Sequence, residues 1–202
     1  MKTLKLVSIF GDRLNLNGDQ ANLFILQQRL KWAGITSEVL TVKSQIELDS
    51  ADADFLFIGH GSLAAWQSCL KDWPELASAF LNSSRTVPAL AVASGADEVR
   101  RANGYKRSKL AQTFSEFCVD QFEGRDLLGY KNTTTAENST VRINQAILTW
   151  LHGPVLAKNP ALADEVIRQI LGGTEVTGLE NENTRKIDEI VAGVWQLEKP
   201  QN

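Results

Sequence analysis

The side chain best suited to proton transfer near neutral pH is scarce in this sequence, which contains only two histidines. His60 lies in the segment GHGS, residues 59–62, and His152 lies in the segment LHGP, residues 151–154. A histidine beside a glycine turn can act as a general base, or it can be an ordinary solvated loop residue. Taken alone, neither segment decides between these two interpretations.

A third segment, VPALAVASGADEV over residues 87–99, has the pattern of a nucleophile elbow. An apolar run is followed by small residues, which allow a sharp turn from a strand into a helix. Such an elbow usually presents Cys or Ser, but the predicted apex here is Ala93, which has no nucleophilic atom. Ser94 is the alternative nucleophile, with His152 as its base, if the strand extends one residue further.

Alternating strands and helices must position these three segments. Apolar runs predict strands at 4–10, 37–42, 54–62, 87–92, 113–122, 125–135 and 145–150. Helical spacing predicts helices that end at Gly34, surround Trp66 and Trp73, begin at Asn159–Pro160 and cover 183–198, the last with Ile187, Ile190, Val191 and Val194 on one face. Asp19 is predicted to cap the first helix. This alternation indicates an α/β fold with a mostly parallel sheet and helices on both faces.

Composition narrows the class of protein. The 202 residues are 43% hydrophobic and 22% charged, with a net charge of −3, which predicts one soluble domain over 1–202. The sequence has no basic stripe for a nucleic acid partner and no apolar run long enough to span a membrane. The N-terminus has the pattern of a first strand and not of a signal peptide, so we expect a cytosolic protein. Cys69 and Cys118 are accordingly expected to be reduced core thiols.

Four segments occur in an order that resembles a known family: GDRLNLNGDQANLFILQQRLKWAGI, FLFIGHGS, VPALAVASGAD and LTWLHGPVLAKN. Together they are similar to the class I glutamine amidotransferases of the cobyric acid synthase (CobB/CobQ-like) type. Within that family the resemblance is strongest to the GatD type, the glutaminase subunits of lipid II isoglutaminyl synthases. The resemblance covers roughly residues 4–172, and it implies a three-layer, flavodoxin-like α/β fold.

The resemblance also implies an activity. In that family a cysteine at the elbow attacks the side-chain amide of glutamine, a histidine moves the protons, and backbone N–H groups of a glycine turn hold the oxyanion. The ammonia passes to an ATP-using synthetase, which for the GatD type is a Mur-ligase-like subunit that amidates a peptidoglycan precursor. The implied partners are therefore such a synthetase and glutamine or a related small molecule. Neither a cofactor nor a metal ion is implied for this subunit.

The site residues of the family can be transferred one by one. His152 matches the catalytic histidine, and the oxyanion turn is matched by Gly59, Gly61 and Ser62, with His60 replacing a glycine. Gly95 matches the glycine of the elbow, whereas Asp97 stands where the family often has glutamine. The position of the family's cysteine is Ala93, and the segment between the elbow and His152 is shorter than in the family.

These departures predict a non-catalytic or regulatory relative of the amidotransferases. The alternative is an active hydrolase or amidase that uses Ser94 with His152. In either case Ala93 and His152 are expected at one edge of the sheet, facing the turn at 59–62.

Overall fold

The computed structural model describes residues 2–106, 109–135, 139–173, 176 and 178–198. The strands are β1 Leu4–Ile9, β2 Ser37–Val42, β3 Phe55–Ile58, β4 Ala89–Val92, β5 Lys109–Phe122, β6 Arg125–Thr135, β7 Val141–Ile143, β8 Ala146–Thr149 and β9 Leu151–His152. The helices are α1 Ala21–Trp32, α2 Gln45–Ala51, α3 Leu63–Asp72, α4 Leu76–Ser83, α5 Ser94–Ala102, α6 Val155–Lys158, α7 Pro160–Ile170 and α8 Glu182–Glu198.

The central sheet has the strand order β2-β1-β3-β4-β8-β7. Neighbouring strands from β2 to β8 are parallel, and only the edge strand β7 pairs in the antiparallel direction. Val92 at the end of β4 is in register with Thr149 at the end of β8. The segments that follow β4 and β8 therefore leave the sheet at the same edge, which is where parallel α/β sheets form their sites.

Both faces of the sheet are buried, which confirms the predicted fold class. On one face, Val7 and Ile58 pack in a core with Trp66, Cys69 and Phe80 of α3 and α4. On the other face, alternate strand residues such as Leu6, Phe55 and Phe57 pack against α1 and α7, which contribute Leu26 and Val166 to this core. A parallel strand covered on both sides must be apolar throughout, and this explains the short continuous apolar runs in the sequence.

A second, antiparallel sheet carries one of the two histidines. It has the order β5-β6-β9, and it contains the hairpin that the sequence predicts, with Glu123 and Gly124 at the turn in positive φ of 49° and 78°. His152 in β9 pairs with Tyr130 in β6. The hairpin therefore fixes the backbone of His152 only a few residues beyond the end of β8.

One local prediction was wrong. Asp19 does not cap α1, because the N-cap residue of this helix is Gln20, and no side chain forms a capping hydrogen bond there. The apolar face of α8 is largely exposed: Ile187 is 40% and Ile190 63% exposed, and the one fully buried residue of the helix is Thr184. The helix instead contacts the rest of the chain through polar groups, such as the indole of Trp195 on the carbonyl of Lys158.

The cysteines stand largely as predicted. Cys69 is buried and Cys118 half-buried, both thiols are free, and burial raises the pKa of each. Among the described residues, no helix combines the length and the apolar character needed to cross a membrane.

Arg29 on α1 connects three helices and generates a first prediction. Its buried guanidinium binds Asp164 of α7 at 2.8 Å and Asp188 of α8 at 2.9 Å. Arg29→Ala leaves two partly exposed carboxylates, Asp164 and Asp188, without their buried cation, and we expect a loss of about 3 kcal/mol in the free energy of unfolding. Urea denaturation measures it, with Lys186→Ala as the control. Lys186 pairs with Glu182 on the exposed surface of α8, and its loss should cost about 0.5 kcal/mol or less. Equal losses in the two variants would contradict a tethering role for Arg29.

Candidate functional site

The chain makes a strained turn at Ala93, between β4 and α5. This residue has φ 51° and ψ −114°, a conformation that costs an L-residue about 1–3 kcal/mol. The turn is held from both sides, since the Ala93 N–H donates to Thr149 O at 2.7 Å and the Asp97 N–H donates to Ala93 O at 3.0 Å. A Cβ on Gly95 would lie 2.8 Å from the carbonyl oxygen of Gly59. The backbone thus has the shape of a nucleophile elbow, with a methyl group at its apex.

The turn at 59–62 lies against this elbow. A Cβ on Gly59 would meet the backbone oxygen of Leu14 at 2.2 Å, so the loop before α1 leaves room only for glycine there. A Cβ on Gly61 would meet the end of the Leu14 side chain at 2.5 Å, which would have to shift. Ser62 has a simpler placement. It is exposed, and its hydroxyl caps α3 by accepting the Ala65 N–H at 3.2 Å.

Asp19 holds the two histidine-bearing turns together. Its fully buried carboxylate accepts the His60 N–H at 3.2 Å through one oxygen and the Gly153 N–H at 3.0 Å through the other. Asn22 reinforces this contact, because its amide donates to Gly153 O at 3.2 Å and accepts the Leu156 N–H at 2.9 Å. The sequence interpretation missed these roles, since an acidic residue just before a helix is typical of a local cap.

Ser94, the alternative nucleophile, is enclosed by hydrogen bonds. Its hydroxyl oxygen accepts the Gly61 N–H at 3.0 Å and the indole N–H of Trp66 at 2.7 Å. The same oxygen lies 2.8 Å from His60 Nδ1 and 3.2 Å from Gly61 O, which are the acceptors available for its proton. The Ser94 N–H also points to His60 Nδ1, at 3.3 Å. Because an N–H can only donate, this contact requires Nδ1 of His60 to be the unprotonated nitrogen.

His152 has both ring nitrogens engaged. Nδ1 lies 2.5 Å from the side-chain amide nitrogen of Asn17, and Nε2 lies 3.1 Å from the carbonyl oxygen of Asn132. An amide N–H donates and a carbonyl accepts, so these partners fit the neutral ring with its proton on Nε2. The ring packs edge-on against His60, with 4.7 Å between the centroids.

These contacts correct the predicted partner of Ser94. The structure pairs Ser94 with His60, while His152 is paired with Asn17 and Asn132. The reason is local, because Ser94 is the first residue of α5 and its side chain contacts the glycine turn beneath the elbow. Asp97, one turn further along α5, accepts the indole N–H of Trp150 at 2.8 Å and so connects this helix to the segment that leads to His152.

Comparison with known proteins agrees with this architecture. No family model matches the chain. Over 206 residues it is 20% identical to lipid II isoglutaminyl synthase (glutamine-hydrolyzing) subunit GatD of Staphylococcus aureus strain N315, covering 84% of this chain and 85% of that protein. A solved structure from Thermoplasma acidophilum, assigned as a GMP synthase subunit, has a TM-score of 0.52 at 12% identity, covering 94% of this chain and 98% of that chain. The chain has a class I glutamine amidotransferase-like fold.

A second solved structure, PurLQS from Thermotoga maritima, gives the same TM-score of 0.52 at 8% identity, covering 86% of this chain and 100% of that chain. At these identities the structures establish the fold of the amidotransferase-like domain and not its chemistry. The cobyric acid synthase type stays a prediction.

The chemistry open to this site follows from its atoms. The apex has no nucleophile, the N–H groups of Ser94, Gly61 and the Trp66 indole have partners within the chain, and the contacts of both histidines fit neutral rings. Burial lowers the pKa of His60, and the neighbouring His152 lowers it further. Burial also lowers the pKa of His152. Within the described ranges, no cluster of three or more His, Cys, Asp or Glu side chains is arranged to hold a metal ion.

The strain at the elbow can be measured by comparing two alanines of the same strand–turn segment. Ala91 and Ala93 are both buried, but only Ala93 has positive φ. Ala91→Gly should cost about 1–2 kcal/mol, because it removes a buried methyl group and adds backbone entropy to the unfolded chain. In Ala93→Gly the relief of strain should offset these losses, so we expect this variant to be at least about 1 kcal/mol more stable than Ala91→Gly. Equal free energies of unfolding in the two variants would show that the turn is not strained.

The lowered pKa values of the histidines predict a pH dependence of stability. Each ring has a pKa below 6.5 in the folded protein, so the unfolded chain takes up protons at a higher pH than the folded chain. The free energy of unfolding should therefore be highest above about pH 6.5 and fall as the pH drops below it. Denaturant titrations between pH 7.5 and 5 should show a smaller fall in His60→Asn and in His152→Gln than in the unsubstituted protein. The same fall in all three proteins would contradict burial of neutral rings.

Proposed function

We propose that this protein is a non-catalytic, glutamine amidotransferase-like subunit that acts by binding a partner synthetase. The observation that carries the proposal is the elbow itself, which keeps the strained backbone of a nucleophile turn but has the methyl group of Ala93 at its apex. The neighbouring histidine supports the proposal, because both ring nitrogens of His152 are already engaged. A general base needs a free lone pair directed at the group that it deprotonates.

The partner in this proposal is an ATP-using synthetase of the Mur-ligase-like type. The relative from Staphylococcus aureus is by name a subunit of a glutamine-hydrolyzing synthase, which supports the role of a subunit. The resemblance of the four ordered segments to the GatD type supports peptidoglycan amidation as the setting. Glutamine, or a related amide or amino acid, is in this view a regulatory ligand and not a substrate.

A serine hydrolase is the second candidate function. The observation in its favour is the distance of 2.8 Å between Ser94 Oγ and His60 Nδ1, which lets His60 accept the hydroxyl proton. Two N–H groups, from Gly61 and Trp66, however, occupy the lone pairs with which this oxygen would attack. For this reason we favour the non-catalytic subunit.

Glutaminase and labelling assays distinguish the two candidate functions. We expect the purified protein to release no glutamate from glutamine, because loss of a nucleophile lowers the turnover of a hydrolase by roughly a millionfold. A fluorophosphonate probe, which labels activated serines, should likewise leave Ser94 unlabelled. Glutamate release or labelling that disappears in Ser94→Ala and in His60→Asn would establish the serine hydrolase instead.

The proposed partnership needs a separate assay. The protein should be expressed together with a Mur-ligase-like synthetase from the same organism, and amidation should be followed with ammonia and with glutamine as nitrogen sources. We expect the two chains to purify as a complex that amidates its acceptor with ammonia but not with glutamine alone. Amidation driven by glutamine would overturn the non-catalytic assignment, and failure to form a complex would overturn this choice of partner.

A further inference from the structure

Two hydrogen-bond donors converge on one oxygen beneath the elbow. The Gly61 N–H and the indole N–H of Trp66 both point at the hydroxyl oxygen of Ser94, at 3.0 and 2.7 Å. Fixed N–H groups that converge on a single point are the arrangement by which enzymes stabilise a developing oxyanion. At a strand–turn–helix elbow, the usual donors are the N–H of the residue after the apex and an N–H of a neighbouring loop. In this chain those groups are the N–H of Ser94 and the N–H of Gly61.

We propose that Ser94 and His60 form an intramolecular ligand that fills the oxyanion pocket of the elbow. The Ser94 hydroxyl takes the two converging donors, and His60 Nδ1 takes the N–H of Ser94. The short contact between Ser94 Oγ and His60 Nδ1 joins the two side chains into one unit. This inference rests on the proposed function, and it adds a second cause of inactivity that is independent of the missing nucleophile.

The physical reason for such a ligand is the cost of empty donors. An N–H group that is withdrawn from water and left without an acceptor is strongly unfavourable, and an apex without a nucleophile has no substrate intermediate to supply one. Trp66 is only 4% exposed, so water has little access to its indole N–H. The side chains of Ser94 and His60 satisfy these donors permanently. A substrate oxygen would have to displace both side chains before it could be held.

It follows that restoring the nucleophile alone will not restore the site. Ala93→Cys supplies a thiol at the apex, but the donors beside it remain occupied. Opening the pocket requires two further changes, namely Ser94→Ala, which removes the filling oxygen, and His60→Gly, which removes the acceptor of the Ser94 N–H. The triple variant should expose the N–H groups of Ser94, Gly61 and Trp66 together.

The rates at which two reagents alkylate the introduced thiol test whether Ser94 and His60 fill the oxyanion pocket. A chloroketone analogue of glutamine reports recognition, because its carbonyl oxygen needs the donors, whereas iodoacetamide reports only the accessibility of the thiol. We expect the ratio of the two alkylation rates to be at least roughly tenfold higher in the triple variant than in Ala93→Cys, since one oxyanion donor is worth roughly 100- to 1000-fold in enzymes. The control is Ala93→Cys combined with Ser50→Ala, which removes an exposed hydroxyl on α2 and should leave the ratio unchanged.

The outcomes separate this inference from the proposed function. A ratio that is equal in Ala93→Cys and in the triple variant would overturn the intramolecular ligand, even if the unsubstituted protein hydrolyses no glutamine. Glutamine hydrolysis by the unsubstituted protein would overturn the proposed function, whatever the alkylation ratios of the cysteine variants.

A second measurement keeps the inference testable if the triple variant does not fold. Amide hydrogen exchange in Ser94→Ala should be at least roughly tenfold faster at the Gly61 N–H than in the unsubstituted protein, because this N–H loses its acceptor. The Leu16 N–H, which donates to His60 O at 3.0 Å, is the internal control and should exchange at its original rate. Unchanged exchange at Gly61 would show that the Ser94 hydroxyl does not fill the pocket.

Discussion

The buried carboxylate of Asp19 is the contact on which the geometry of the site depends. One of its oxygens holds the N–H of His60 and the other holds the N–H of Gly153, so a single rigid group sets the separation of two turns that come from different strands. The edge-on packing of the two histidine rings at 4.7 Å is a consequence of this spacing. In a medium of low dielectric constant such a contact is strong when every group is paired, and the loss of either partner leaves a buried polar group without compensation.

The backbone geometry of the elbow is set by the surrounding fold and not by the side chain at its apex. Ala93 keeps an unfavourable backbone conformation because Thr149 O fixes its N–H and α5 begins directly after it. Gly95 lets α5 approach the turn so closely that a Cβ there would lie 2.8 Å from Gly59 O, and Gly59 lets the turn approach the backbone of Leu14. The sheet and the helix therefore impose the turn whether or not a nucleophile is present, and the residue at its apex can change without altering the scaffold.

Much of the architecture could be predicted from the sequence, because its signals are local. Short apolar runs marked the buried parallel strands, the Glu123–Gly124 pair marked the hairpin turn, and Pro160 marked the start of α7. The site could be predicted only in part. His60 and the elbow were recognisable, but the partners of Asp19 and Ser94 come from segments distant in the sequence, and no local pattern selects among distant partners. The same limit applies to α8, whose polar contacts with Arg29 and Lys158 come from distant segments.

Two side chains of the chain itself occupy the N–H donors at the elbow: Ser94 Oγ accepts those of Gly61 and Trp66, and His60 Nδ1 accepts that of Ser94. Nitrogen-15 NMR of the two histidine rings tests this most directly, because the shift and the proton coupling of each ring nitrogen report its protonation and hydrogen bonding. At pH 7 we expect two neutral rings, each protonated at Nε2 and accepting a hydrogen bond at Nδ1, with the Nδ1 resonance of His60 shifting when Ser94 is replaced by alanine. A protonated Nδ1 on His60, or a His60 signal that does not respond to Ser94→Ala, would contradict it.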